Sequence, residues 1–167
     1  MISKTLTFTV QGISALAVDV EVDVSNGLPS FHIVGLPDAA VREAKERVVA
    51  AIKNSGFPFP PRRVTVNLAP AYLRKEGTSF DLPIAVGILK AQGIINDNGP
   101  SGCAIVGELS LDGSTRRVAG VLPVALKVSS GKKRVLIVPS CNAEEAAIAD
   151  SLQVYPGSAL KTAGTSS

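Results

Sequence analysis

Phe31-His32-Ile33-Val34-Gly35-Leu36-Pro37-Asp38-Ala39-Ala40-Val41-Arg42-Glu43 is the stretch in which the chain changes its period. Phe31 to Val34 reads as a short strand. Pro37-Asp38 then opens a helix, with Asp38 as the expected N-cap. Val41, Ala44, Val48, Ala51 and Ile52 follow at helical spacing and form one apolar stripe. Arg42, Glu43, Glu46, Arg47 and Lys53 fall on the wet side, with Arg42–Glu46 and Glu43–Arg47 as i,i+4 pairs. Gly56 ends the helix, and Phe57-Pro58-Phe59-Pro60-Pro61 is a rigid connector.

Outward from this stretch the pattern divides. Before it, residues 5–10 and 15–24 alternate apolar and polar, which is strand period, and Asn26-Gly27 predicts a hairpin turn into the third strand. After it, strands alternate with helices. Arg63 to Leu68 is a strand and residues 69–78 a loop. Asp81 is expected to cap a second helix reaching about Gln92, with Pro83 tolerated in its first turn. Ala104 to Leu109 reads as a buried strand, Asp112-Gly113 as a turn, Val121 to Ser129 as a third helix and Arg134 to Val138 as another strand. Asn142 and Glu145 have capping-box spacing for a fourth helix, and Leu152 to Tyr155 is a last strand. Three strands followed by alternating strands and helices predict an α/β (α+β) fold: one mixed sheet with helices packed mainly on one face. Residues 1–160 form the expected domain, and 161–167 a flexible tail or the start of a linker.

Composition narrows the function classes. The 167 residues are 46% hydrophobic and 19% charged, enough apolar surface for a core. Five Phe, two Tyr and no Trp argue against an aromatic stacking platform for single-stranded nucleic acid. A net charge of +3 is too small to identify a nucleic-acid binder. Two distant cysteines, no signal-peptide pattern at Met1-Ile2-Ser3-Lys4 and no apolar run near the ~20 residues of a membrane span predict a cytoplasmic protein.

Residues 31–43 and a second stretch, Val64-Thr65-Val66-Asn67-Leu68-Ala69-Pro70-Ala71-Tyr72-Leu73-Arg74-Lys75-Glu76-Gly77-Thr78-Ser79-Phe80-Asp81-Leu82-Pro83-Ile84-Ala85, resemble signature segments of one family. So do Thr7 to Val18 and Val106 to Gly113. The family is the magnesium-chelatase-like AAA+ ATPases of the ComM/YifB type, and the chain resembles their amino-terminal, Lon-protease-like domain. The resemblance implies a Lon-like fold with a left-handed βαβ crossover, against the usual right-handed rule. It also implies a following AAA+ module in the same polypeptide, a hexameric ring and DNA as a partner, the ComM type being associated with branch migration in natural transformation.

The motor itself is not expected here. A phosphate-cradling loop needs Gly, four residues, then Gly-Lys-Ser/Thr. Gly131-Lys132 is followed by Lys133, and Leu126 stands where the first glycine belongs. ATP and Mg²⁺ are therefore expected only in the AAA+ module, with no cofactor in this chain. Similarity to Lon peptidases places Ser79 at the nucleophile position and Leu122 at the position of the lysine base. Lys127, five residues on, is turned about 140° around the helix from Leu122. A serine lacking a base is a poor nucleophile, so no catalytic residue is expected, and Thr78, Ser79 and Asp81 read as helix-capping groups.

The other chemistry-bearing residues read as follows. His32, the only histidine, has no second ligand at metal spacing and is read as structural or exposed. Cys103 is read as core packing and Cys141 as incidental; Asp19, Glu21 and Asp23 make a solvated strand face, so no metal site is expected. Arg62, Arg63, Arg74, Lys75, Arg116, Arg117, Lys132, Lys133 and Arg134 are the candidate nucleic-acid contacts, against the alternative of ordinary solubility charge. The expected function is a non-catalytic accessory domain that organises, regulates or feeds DNA to an AAA+ ring. A stand-alone nucleic-acid-binding module and a relict serine peptidase are the alternatives.

Overall fold

A computed structural model describes residues 1–96, 103–132 and 135–163. Nine strands and five helices occur among them. They are β1 (Ile2–Gln11), β2 (Ser14–Ser25), β3 (Ser30–Val34), α1 (Ala39–Asn54), β4 (Arg63–Ala69), α2 (Asp81–Ala91), β5 (Ala104–Ile105), β6 (Glu108–Leu109), β7 (Thr115–Arg116), α3 (Val121–Ser130), β8 (Val135–Pro139), α4 (Ala143–Ala146), β9 (Gln153–Gly157) and α5 (Leu160–Ala163). Seven strands form one sheet in the order β3-β4-β2-β1-β5-β8-β9, and β6 pairs with β7 apart from it. Within the large sheet β2 alone runs against its neighbours.

The hairpin lies elsewhere than Asn26-Gly27. β1 and β2 are joined by the two-residue turn Gly12-Ile13, with Gln11 opposite Ser14. β3 does not pair with β2, because β4 is inserted between them. The apolar stripe of β2 explains the insertion: Val20, Val22 and Val24 stand directly opposite Leu68, Val66 and Val64. Cross-strand contacts between branched apolar side chains outweigh the preference of one local turn. β3 then adds to β4 in parallel, through the β3–α1–β4 crossover, and becomes an edge of the sheet.

Alternation sorts the core into two layers. Ile105 and Ile137 join one buried cluster with α1, α2 and Leu160 of α5, while their neighbours Ala104, Leu136 and Val138 join a second with α3 and Ala146 of α4. Helices on one face describe the β3-β4-β2 half of the sheet. Over the other half, α3 and α4 also cover the second face, against Phe8 and Ala15 of the hairpin. Helix α2 is buried along almost its whole length. It lies on a polar row of β1, where the Ser3 and Thr5 hydroxyls donate to the carbonyls of Gly87 (2.5 Å) and Pro83 (3.2 Å).

Two smaller expectations also change. The strand foreseen over 104–109 divides, because the Gly107 N–H turns away to the Ser79 carbonyl (3.0 Å). Asn142 does not cap α4. Its side chain accepts from Val118 N and donates to Val118 O, both at 3.0 Å, clamping the approach to α3. Glu145 in turn accepts Leu122 N (3.2 Å), one of the first-turn donors that a helix leaves free.

Candidate functional site

All the parallel strands end at one edge of the sheet, and the stretches that resemble the Lon-like family meet there. The loop after β3 and the loop after β4 bond to each other: Lys75 N donates to Leu36 O (3.0 Å), and Asp38 N to Lys75 O (2.9 Å). Asp38 caps α1 through Val41 N (2.8 Å), as its position predicts. Between the loops lies Lys75, with 0% exposure. Its Nζ donates to Gly35 O (2.6 Å) and to Pro70 O. Among the described residues it makes no ion pair. Burial pushes its ammonium below the ordinary lysine range. Two neutral carbonyls accept its hydrogen bonds, so the group acts as a donor and clamps the loops. Lys75 therefore leaves the candidate nucleic-acid surface, because a fully buried ammonium cannot reach a phosphate backbone.

Asp81 begins α2 but does not cap it. The N-cap position falls on Phe80, which makes no side-chain cap bond. The Asp81 carboxylate, with 0% exposure, takes Arg47 Nε (2.7 Å), Arg47 Nη2 (3.1 Å) and Leu109 N (3.0 Å). A bidentate charged partner is a stronger claim on the carboxylate than a neutral cap bond. Burial pushes the Asp81 carboxyl up, while Arg47 and the Leu109 N–H pull it back down. Asp81 in turn holds the Arg47 guanidinium above its ordinary range. Arg47 is thus mostly covered, at 19% exposure, and reaches Glu43 only at 3.7 Å. One ion pair ties α1, α2 and β6 together.

Ser79 lies at this junction, half-buried between Thr78 and Phe80. Its carbonyl accepts Gly107 N, and the Thr78 hydroxyl donates to Glu108 Oε2 (3.3 Å). The two segments that resemble Lon are therefore side by side. Leu122, half-buried in the first turn of α3, brings hydrocarbon to the position that the resemblance gives to a base. Lys127 is exposed on the same helix. Gly131-Lys132 follows the carboxyl end of α3, whereas a phosphate cradle needs the amino end of a helix. These residues do not fit a nucleotide.

The remaining candidates separate by position. Arg74, Arg116 and Arg117 lie at the carboxyl ends of the parallel strands, all exposed. Arg74 pairs with Glu76 (3.3 Å), Arg116 donates to Ser110 Oγ (2.6 Å) and Arg117 to Cys141 O (2.9 Å). Arg62 precedes and Arg63 begins β4 at the opposite ends of these strands, and Lys132 precedes β8 there. β4 and β8 are four strand intervals apart in the sheet, roughly 19 Å. Lys133 and Arg134 lie outside the described residues. The acidic row of β2 is partnered: Lys4 with Asp19 (3.3 Å), Asn67 with Glu21 (2.9 Å), and the terminal ammonium with Asp23 (3.8 Å). Among the described residues no three His, Cys, Asp or Glu are grouped to hold a metal. Burial pushes the half-buried Cys103 thiol up to about 11, so it stays protonated, and Cys141 is exposed. His32 is exposed on edge strand β3.

No described helix is long and apolar enough to cross a membrane. Residues 20–142 match the family model for subunit ChlI of Mg-chelatase. The chain is 45% identical over 144 residues to competence protein ComM of Haemophilus influenzae, covering 86% of this chain and 28% of that protein. It is 42% identical over 149 residues to the uncharacterized protein YifB of Escherichia coli, covering 85% and 29%. An uncharacterized Mycobacterium tuberculosis protein is 38% identical over 153 residues, covering 92% and 30%. The chain thus spans less than a third of the length of these relatives. Both signature stretches lie within or across the matched region, and the chain belongs to the ChlI, Mg-chelatase-like family, in its ComM/YifB type.

Proposed function

We propose that the chain is a non-catalytic accessory domain of a ComM/YifB-type AAA+ ATPase. On this reading it serves ring assembly, regulation or DNA engagement, and ATP and Mg²⁺ act in a module beyond it. The observation that carries the reading is that the ionisable groups flanking Ser79 in sequence are engaged elsewhere. Lys75 donates to two carbonyls, Asp81 is held by Arg47, and Leu122 supplies no base. A serine hydroxyl needs an adjacent base to become a nucleophile. The chain's small share of its relatives' length supports the view that chemistry resides elsewhere in the polypeptide. An active-serine probe is expected to leave the chain unlabelled. Labelling that disappears in Ser79→Ala would overturn the non-catalytic reading in favour of a serine hydrolase.

DNA engagement has its own support in the exposed cations Arg62, Arg63, Arg74, Arg116 and Arg117. The chain is expected to bind single-stranded DNA weakly, with affinity falling steeply as salt rises, by a logarithmic slope of about 0.7 per phosphate contact. Fluorescence anisotropy across a salt series measures this. Unchanged binding in Arg62→Ala/Arg63→Ala combined with Arg116→Ala/Arg117→Ala would remove these residues from the interface.

A further inference from the structure

At the β3 edge of the sheet there is a shallow cleft of about 350 Å³. Arg42 and Lys45 reach it from α1, His32 from β3, and Arg63 and Thr65 from β4. Ile33 and Val34 supply the apolar part of its wall, and its charge is one-sided. Three fixed cations, an imidazole and a hydroxyl contribute to the wall, and no carboxylate does. Among the described residues Arg42, Lys45 and Arg63 form no ion pair, although Glu43 and Glu46 stand on the same helix. Glu43 instead lies against Arg47.

Three like charges around one cleft repel each other, and an anion seated between them relieves that repulsion. The donors suit an oxygen-rich anion: a planar guanidinium fork at Arg42 and at Arg63, a compact ammonium at Lys45, and hydroxyl and imidazole groups at Thr65 and His32. β3 is the edge strand, so among the described residues no further strand covers this side. His32 and Thr65 are partners in register, as are Ser30 and Arg63, which holds the β-strand donors in a fixed array.

We infer that this cleft is a phosphate-binding site, and that its ligand is a phosphodiester of a single-stranded nucleic acid passing along the β3 edge. The choice of a diester follows from the open shape and from Arg62, exposed beside Arg63, which continues the positive surface beyond the cleft. The source of the phosphate rests on the DNA-engagement reading; the phosphate site itself does not.

The test is a nitrogen-15 amide-shift titration of the 167-residue chain, first with inorganic phosphate and then with a thymidine decanucleotide. Both are expected to shift amides at His32, Arg42, Lys45, Arg63 and Thr65, the oligonucleotide at far lower concentration. Arg42→Gln/Lys45→Gln is expected to weaken the oligonucleotide about tenfold or more and to lower the salt slope by about 1.4, two contacts at 0.7 each. Both positions are exposed or half-buried on α1, so the variant keeps the native amide spectrum elsewhere. Silence of these amides toward phosphate and oligonucleotide alike overturns the site. Phosphate shifts without oligonucleotide shifts keep the phosphate site but overturn its nucleic-acid ligand and weaken the DNA reading. Oligonucleotide shifts confined to Arg74, Arg116 and Arg117 keep DNA engagement and overturn the cleft.

Discussion

Replacing Arg47 by methionine is expected to destabilise the domain by about 3 kcal/mol, since breaking a buried pair from one side leaves an uncompensated charge. Asp81 has no exposure, and without Arg47 its carboxylate keeps, among the described residues, only the Leu109 N–H. The loss should depend on pH in a definite direction. Burial already pushes the Asp81 carboxyl above its unfolded value, and Arg47 opposes that push. Without Arg47 the folded-state pKa rises further. The folded chain then binds more protons than the unfolded chain between the two values, so stability increases as pH falls through the raised pKa. The slope levels off below about 3.9, the unfolded value, and cannot exceed about 1.4 kcal/mol per pH unit. Urea unfolding of native and variant chains at pH 7 and pH 5 measures the difference. A deficit that is the same at both values would show that Asp81 is not the group left stranded. In Arg47→Met/Asp81→Leu most of the stability should return, because neither charge remains.

Gly35→Ala is expected to cost about 4 kcal/mol or more, or to prevent folding, since it adds strain and a clash at one residue. Gly35 has φ 106°, and an added Cβ would lie 2.2 Å from the Leu68 carbonyl oxygen. The obstacle is backbone of β4, so no side-chain rotation relieves it. The Gly35 carbonyl also accepts Lys75 Nζ, and displacing it loosens the clamp between the two loops. Gly56→Ala is the control. Its φ of 86° is similarly positive, yet nothing lies within 4 Å of its would-be Cβ. A cost near 1 kcal/mol is expected there, from conformation alone. Equal losses in the two variants, by thermal or urea unfolding, would show that the approach to Leu68 is not the reason for glycine at 35.

Features decided within a few residues could be read from the sequence, and features decided across the fold could not. Helix α1, its Asp38 cap and its buried stripe follow from local periodicity and appear where expected. The alternation of β2 likewise foretold its buried valines. The turn at Asn26-Gly27 misled because the partner of β2 comes from residues 63–69, beyond a helix. Asp81 resembled a cap because nothing in its own neighbourhood announces Arg47, 34 residues away. Lys75 looked like surface charge for the same reason: its acceptors are the carbonyls of Gly35 and Pro70, whose spatial approach no side-chain pattern encodes. Arg42 reads as an ordinary position on a wet helix face, and local periodicity singles out no role for Lys45 beside it. Their common cleft with Arg63 exists only because β3 pairs with β4 and is left at the edge.

The central hairpin also bears on how the chain acquires its structure. β1 and β2 pair across a two-residue turn, whereas every parallel neighbour must close a far longer segment. Loop closure is slow when the partners are distant in sequence, so the hairpin is expected to form first. It also precedes both flanks in the order of synthesis. Its two edges then serve as templates: β4 and β3 add beside β2, while β5, β8 and β9 add beside β1. A sheet that grows outward in two directions from such a ribbon is expected to add β3 and β9 last, and these are the strands at its margins.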